Sequence, residues 1–108
     1  MSTDSGIPAP PVDLDNFLRR HGPSLIDFRR DLHSNPDFFF NDTATTEKIY
    51  DWLRANGLAP QVLKVGTGLI CDIGNPAAGP TIALRADIDA LAMNDLTDSA
   101  YTSRFPGV

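Results

Sequence analysis

The stretch ALRADIDALAM, residues 83–93, ends an apolar run in two carboxylates, Asp87 and Asp89, placed one residue apart. Ionised carboxylates are costly to bury without partners, so the surroundings of this pair must compensate its charge. If residues 81–86 form a strand, side-chain alternation places both carboxylates on the same side, just past its carboxyl end. In open sheets covered by helices, ligands and catalytic groups collect at that edge. Asp87 and Asp89 are therefore the candidate functional residues.

Two interpretations of the pair stay open on the residues alone. The carboxylates suit a divalent cation, or they orient histidines that bind one. Alternatively, the segment is an acidic turn in which Asp87 caps the following residues. Other candidate ligands do not decide between them, because His21 and His33 lie on amphipathic helices or their ends, where a surface or capping role is expected. Cys71 lies inside a predicted strand, which favours a small buried apolar side chain.

The composition limits the classes of protein that fit. A chain of 108 residues with a net charge of -5 forms one modest globular domain whose average surface repels nucleic acid and anionic membranes. The single cysteine, Cys71, allows no intrachain disulfide, which favours a reducing, cytoplasmic location. The N-terminus lacks the pattern of a secretory signal, and no window is apolar enough to span a bilayer.

The first half of the chain is predicted to be helical after a disordered, proline-rich tail over residues 1–12. Apolar residues at helical spacing begin near Asp13, and Gly22-Pro23 interrupts the pattern, which predicts two helices or one with a kink. A second helix is predicted from Asn41 or Asp42, either of which can cap it, to Asn56, with Gly57 ending it.

The second half is predicted to form strands, which makes the fold class α/β. Three short apolar runs, residues 61–65, 69–73 and 81–86, are separated by turn-like segments. The close spacing of the first two predicts a hairpin. Three short strands are too few for a sheet covered on both faces, so we expect an incomplete domain.

Several motifs occur together in an order that is more informative than any one of them. They are Phe28-Arg29-Arg30-Asp31-Leu32-His33 with Pro36, Thr45-Thr46-Glu47, Gly66-Thr67-Gly68-Leu69 and Leu84-Arg85-Ala86-Asp87-Ile88-Asp89-Ala90-Leu91. In this order the sequence resembles the start of a zinc-type amidohydrolase, in the family of hippurate hydrolases, auxin-conjugate hydrolases, aminoacylases and carboxypeptidases. The resemblance covers about residues 13–108.

The resemblance implies a metallopeptidase-like catalytic domain, of which residues 13–108 would be the N-terminal helices and first strands, and a smaller inserted lid domain. It implies a two-metal site, with Zn or Mn, that hydrolyses the amide bond of small N-acyl amino acids or related amides. Relatives often form homodimers through the lid domain, which has no counterpart in this sequence.

The resemblance also implies roles for the two carboxylates. The wider superfamily has a His-x-Asp ligand motif, and here Asp87 and Asp89 stand at the matching positions. Asp87 would replace a ligating histidine and Asp89 would orient a ligand, so both would support the metal site without binding metal. Relatives continue after the position of Val108 into His-Ala-Cys-Gly-His-Asp, where their first metal ligands lie. We therefore expect this chain alone to be inactive and to bind no divalent metal tightly.

Two further stretches depart from the family pattern. Ala92 stands where relatives usually have proline, which loosens the loop. Residues 38–47 resemble the translation of a common sequencing adaptor. They are interpreted either as an artefact of DNA sequence assembly or as a genuine variant that keeps the family's alignment register. The three adjacent phenylalanines of this run cannot all face one side of an element, so at least one should be exposed.

Two functional hypotheses follow from the sequence. The first is an N-terminal piece of a metal-dependent amidohydrolase, and the alternative is a non-catalytic binding or regulatory module on the same scaffold. In either case, open strand edges and the apolar face around Trp52 lack partners. We therefore expect the isolated chain to be aggregation-prone or partly molten.

Overall fold

The computed structural model describes residues 12–38 and 41–108 of the chain. It divides into two compact units, the first ending at Asp31 and the second spanning Leu32–Val108. Residues 1–11 of the predicted disordered tail lie outside the described residues, whereas Val12 belongs to the first helix. The proposed boundary between a tail and one incomplete domain stays a prediction.

The first helix, α1, runs over Val12–Ser34 without interruption, although Pro23 lies inside it. Of the two predicted alternatives, two helices or one helix with a kink, the structure therefore has a single helix. Pro23 has no backbone N–H, so the carbonyl of Arg19 loses its donor within the helix, and water can replace it because Arg19 is exposed. The apolar stripe of α1 remains partly exposed, at Leu14, Phe17, Leu18 and Leu25.

The second helix, α2, spans Thr43–Ala55, close to its predicted bounds. Gly57 ends it with φ at +84°, a left-handed conformation that glycine adopts without a Cβ clash. The Gly57 N–H donates to the Arg54 carbonyl at 3.1 Å, and the Leu58 N–H donates to the Leu53 carbonyl at 3.0 Å. These two bonds satisfy carbonyls that the end of the helix leaves free, so the predicted stop is confirmed.

The start of α2 differs from the prediction in one respect. Asp42 occupies the position before the first helical residue, but its side chain makes no capping hydrogen bond. Instead, Asp42 is buried, and its Oδ1 has no hydrogen-bond partner within the described residues. The backbone carbonyl of Asp42 accepts hydrogen bonds from the N–H and the hydroxyl of Thr46, at 2.9 and 2.8 Å. The main chain of Asp42, rather than its carboxylate, therefore stabilises the first turn.

The predicted hairpin is confirmed, with shorter strands than expected. Strand β1, Gln61–Val62, pairs antiparallel with β2, Leu69–Ile70. The turn between them is closed by the Leu63 N–H, which donates to the Gly68 carbonyl at 3.0 Å. Cys71 follows β2 and is half-buried, so its prediction as a buried residue inside a strand is wrong.

The predicted third strand, residues 81–86, is not formed, which corrects the premise that placed Asp87 and Asp89 at a strand end. The segment is irregular and exposed along its whole length. A strand is stabilised by backbone hydrogen bonds to a neighbour, and within the described residues β1 and β2 pair only with each other. Just beyond the segment, one isolated parallel bridge joins Phe38 to Ala90.

The buried residues of the described chain are mostly polar. Four polar residues are buried, Ser34, Asp42, Thr45 and Thr46, and among the described residues Pro60 is the one apolar residue buried with them. Thr46 is only 2% exposed, and its hydroxyl accepts a hydrogen bond from the Gly68 N–H at 2.9 Å. Thr46 therefore connects α2 to the hairpin through a buried hydroxyl, a contact that needs exact placement but little apolar area.

The elements together make a partial α/β domain, two helices with a small sheet, as predicted. No helix among the described residues has the length and apolar character needed to cross a membrane. Phe38 is exposed, which agrees with the expectation that at least one phenylalanine of its run would be. Phe39 and Phe40 lie outside the described residues.

Candidate functional site

The two predicted site residues lie in one exposed loop. Asp87 Oδ1 is 2.7 Å from Arg85 Nη2, and the Asp87 side chain is 65% exposed. Asp89 is also exposed. The next residue, Ala90, is fixed by a backbone hydrogen bond, because its N–H donates to the Asp37 carbonyl at 2.8 Å. The structure therefore holds the backbone next to the carboxylates but leaves the carboxylates themselves in water.

The described residues do not fit a divalent metal by themselves. Nowhere in residues 12–38 and 41–108 do three or more His, Cys, Asp or Glu side chains come close enough together to hold a metal ion. Divalent zinc or manganese needs about four or more donors in a closed arrangement. Asp87 and Asp89 alone cannot supply these donors.

A second carboxylate, Asp95, is far more constrained than the predicted pair. Its Oδ2 lies 2.8 Å from His33 Nε2 and accepts a hydrogen bond from the Ser103 N–H at 2.9 Å. Its Oδ1 accepts from the Thr97 N–H at 2.9 Å. The Asp95 side chain is only 11% exposed. The donors are His33, Thr97 and Ser103, so Asp95 connects the end of α1 to two positions of its own loop.

The hydrogen bonds to Asp95 have an electrostatic consequence. The backbone N–H groups of Ser103 and Thr97, then the Thr97 side chain and His33, favour the ionised carboxylate and hold the pKa of Asp95 well below its ordinary value. Partial burial opposes this effect but is outweighed. Asp95 is therefore a permanent anion at neutral pH and a strong acceptor for the His33 ring.

His33 is positioned by two contacts from the same loop. Besides its bond to Asp95, its ring meets the Tyr101 ring edge-on, with the ring centroids 5.3 Å apart. The interpretation of His33 as a surface or capping residue is wrong, because its ring donates to a carboxylate 62 positions later. By contrast, His21 lies exposed beside Phe17, in agreement with a surface role.

Sequence reasoning missed the Asp95 cluster for an identifiable reason. The spacing of Asp95 and Thr97 is typical of a turn in which the aspartate side chain accepts a backbone hydrogen bond two residues on, and this signal was available. The contact with His33 has no local signal, because no periodicity relates residues so far apart. Only the folded chain brings them together.

An open groove of about 450 Å³ lies beside the loop that carries Ala90. Its lining is mainly apolar, and the one charged lining residue is Asp37, whose Oδ2 already accepts hydrogen bonds from the N–H and hydroxyl of Thr45, both at 2.8 Å. The groove is lined by Pro36, Asp37, Phe38, Asn41, Phe105, Pro106 and Val108.

Comparison with known proteins finds homologues of this chain. The chain is 38% identical in sequence to the Bacillus subtilis YXEP protein, described as a dinuclear metal binding peptidase of the M20 family, and the two structures match with a TM-score of 0.75. This chain is homologous to the M20 peptidases. The match covers 82% of this chain and 25% of the M20 peptidase, so the resemblance drawn from the sequence motifs is confirmed.

The sequence relatives of this chain carry names of different activities. An N-acetylcysteine deacetylase of Bacillus subtilis is 40% identical over 84 residues, which are 77% of this chain and 22% of that protein. A putative glutamate–cysteine ligase 2-3 of Rhodococcus jostii is 46% identical over 84 residues, which are 78% of this chain and 10% of that protein. No family model matches the chain. The chain spans a quarter or less of each of these relatives, so their names describe much longer proteins.

Proposed function

We propose that this chain is the N-terminal part of a metal-dependent amidohydrolase that cleaves the amide bond of N-acyl amino acids or related amides. The observation that carries the proposal is the structural match to a dinuclear metal binding peptidase, at a TM-score of 0.75 and 38% identity. The 40% identity to an N-acetylcysteine deacetylase supports the same reaction class, since deacetylation of an N-acetyl group is amide hydrolysis.

In this proposal Asp87 and Asp89 support metal ligands that other parts of a longer enzyme contribute. Their exposure leaves them accessible to such ligands. The ion pair between Asp87 and Arg85 does not prevent this, because an exposed pair contributes little and is easily exchanged. Asp89 would orient a ligand through a hydrogen bond, and the isolated chain would be inactive.

The family resemblance adds four details to the proposal: the metal, the substrate, the location and the oligomeric state. The metal would be Zn or Mn, the substrate a small N-acyl amino acid, and the location cytoplasmic. The enzyme would form a homodimer through its lid domain.

The decisive experiment begins by sequencing the genomic DNA that encodes residues 38–47 and the DNA on both sides of the codon for Val108. The whole reading frame is expressed, stripped of metal with a chelator, and assayed for hydrolysis of N-acetylcysteine and other N-acyl amino acids with added Zn or Mn. Asp89→Ala should lower the activity by about 10- to 100-fold, as loss of a residue that orients a metal ligand does.

The matched control for this assay is Asp98→Asn. Asp98 lies in an exposed loop, and asparagine tolerates its positive φ of 47°. Its activity should equal that of the unchanged enzyme. The proposal fails if the whole protein with metal hydrolyses no N-acyl amino acid, or if Asp89→Ala is as active as Asp98→Asn.

The alternative function is a non-catalytic binding or regulatory module on the same scaffold. Calorimetric titration of Zn and Mn into the whole protein separates the two proposals. Tight binding of two metal ions with substrate turnover supports the enzyme, whereas binding of an N-acyl amino acid without turnover supports the module.

A further inference from the structure

Three hydrogen bonds hold the last part of the chain to one short segment at the end of α1 and just after it. His33 binds Asp95, as described above, at 2.8 Å. The carbonyl of Ser34 accepts from the Arg104 N–H at 2.9 Å, and the carbonyl of Asp37 accepts from the Ala90 N–H at 2.8 Å. The anchoring segment, residues 33–37, therefore fixes both the loop around Asp95 and the backbone next to Asp89.

The His33–Asp95 bond differs from the other two because it joins side chains and includes a charge. Asp95 also accepts the N–H groups of Thr97 and Ser103, so the same carboxylate shapes its own loop and attaches it to α1. Hydrogen bonds to an ionised acceptor are stronger than those between neutral groups. With only 11% of the Asp95 side chain exposed, water competes weakly for its oxygens.

We infer that His33 and Asp95 form a latch, a side-chain pair that holds residues 94–104 on the anchoring segment and thereby positions the loop of Asp87 and Asp89. His33 and Asp95 are positioning residues, since they do not themselves reach the two carboxylates. The role of that loop as a support for metal ligands rests on the proposed function. The latch itself rests only on the hydrogen bonds and burial described here.

The variant Asp95→Asn tests the latch with almost no change in volume. An asparagine side chain has one acceptor oxygen and two N–H donors, so it cannot accept from Thr97, Ser103 and His33 as the carboxylate does. Loss of protection at Thr97 and Ser103 would follow from this local change alone. The informative amides are those of Arg104 and Ala90, because their acceptors are backbone carbonyls that the variant leaves unchanged.

The experiment is amide hydrogen exchange on the protein expressed from the whole reading frame, followed by mass spectrometry with fragmentation that resolves single amides. In Asp95→Asn and in His33→Ala, the Arg104 and Ala90 amides should exchange about tenfold faster, because the latch no longer keeps their segments closed. The Gly68 amide, which binds Thr46, should be unchanged and serves as the internal reference. The matched control Asp98→Asn should leave all these amides as they are.

The conservative variant His33→Gln separates the latch from a general need for histidine. A glutamine side chain can present an N–H donor near the place of His33 Nε2, so protection of Arg104 and Ala90 should return toward the original values. At the Arg104 and Ala90 amides, the double variant with His33→Ala and Asp95→Asn should exchange no faster than Asp95→Asn alone, because Asp95→Asn has already broken the contact that His33→Ala removes.

Two results overturn the latch. The first is unchanged exchange of the Arg104 and Ala90 amides in Asp95→Asn. The second applies if Gly68 also loses protection in Asp95→Asn, which would mean that this variant disturbs the whole fold. His33→Ala and His33→Gln are then compared, and equal exchange of the Arg104 and Ala90 amides in these two variants overturns the latch. Amide hydrogen exchange does not depend on catalytic activity, so it can support the latch even if the hydrolysis assay contradicts the proposed amidohydrolase function. Conversely, the hydrolysis assay can support the proposed function even if the exchange rates contradict the latch.

Discussion

Two acid–base pairs in this chain have almost the same length and very different surroundings. Arg85 and Asp87 are 2.7 Å apart, and His33 and Asp95 are 2.8 Å apart. The Asp87 side chain is 65% exposed, whereas that of Asp95 is 11% exposed and also binds two backbone N–H groups. Distance alone therefore does not measure the strength of a contact, because water screens the first pair and the protein organises the second.

The same contrast extends to the regions around the two pairs. Near Arg85 the apolar side chains face water, with Ile82 86% and Leu84 98% exposed. Around the end of α1 and the start of α2, the buried residues are polar, and Thr46 and Ser34 are hydrogen-bonded. The polar region is organised by contacts within this chain, while the apolar region has surface that needs a partner.

The largest effect is expected from Thr46→Val in the polar region. Valine has nearly the same shape as threonine but cannot accept the Gly68 N–H or donate to the Asp42 carbonyl. The loss of both bonds should cost roughly 1–3 kcal/mol, which appears as about 5- to 150-fold faster exchange of the Gly68 amide. Thr46→Ser keeps the hydroxyl and should stay near the original rate; equal rates in both variants would show that the hydroxyl is not needed.

The next effect concerns the exposed apolar region. Replacing Ile82 and Leu84 together by lysine removes no buried contact, since both side chains are exposed. The concentration at which the isolated chain begins to aggregate, measured by light scattering, should rise on the order of tenfold. As a control, Ile49→Lys in the half-buried face of α2 should lower the concentration at which aggregation begins. A chain that stays monomeric at high concentration, with a sharp melt and dispersed amide signals, would contradict the expected aggregation.

A smaller effect is expected from acid on the Asp95 loop. The pKa of Asp95 is lowered in the folded chain, so its contribution to stability is complete above its ordinary pKa of about 4 and is lost as the pH falls through the lowered value. The NMR position of the Ser103 amide should therefore stay constant from neutral pH down to about pH 4 and move only in stronger acid. A midpoint near pH 4 would mean that the hydrogen bonds to Asp95 do not favour its ionised form.

The smallest effect is expected at the exposed pair. Asp87→Asn in the isolated chain should change the free energy of unfolding by no more than about 0.5 kcal/mol, because an exposed ion pair contributes little. Urea denaturation followed by the fluorescence of Trp52 measures this change. A loss of well over 1 kcal/mol would show that the loop is organised in the isolated chain and would remove the contrast with Asp95.

Local features of this chain were predictable from its sequence. The spacing of apolar residues placed α2 within two residues, and Gly57 marked its end because only glycine takes the left-handed conformation there without a clash. The hairpin followed from two short apolar runs around Gly66-Thr67-Gly68. The order of the motifs pointed to the amidohydrolase family. All of these depend on residues that are neighbours in the chain or on patterns read directly from it.

Tertiary structure decided the features that join distant residues. The pairing of His33 with Asp95, and of Ala90 with Asp37, has no sequence signal because each contact depends on where separate segments come to lie. The failure of residues 81–86 to form a strand has the same origin, since a strand requires backbone partners that no local propensity supplies. Helices close their hydrogen bonds within themselves, whereas strands and side-chain clusters depend on the rest of the fold.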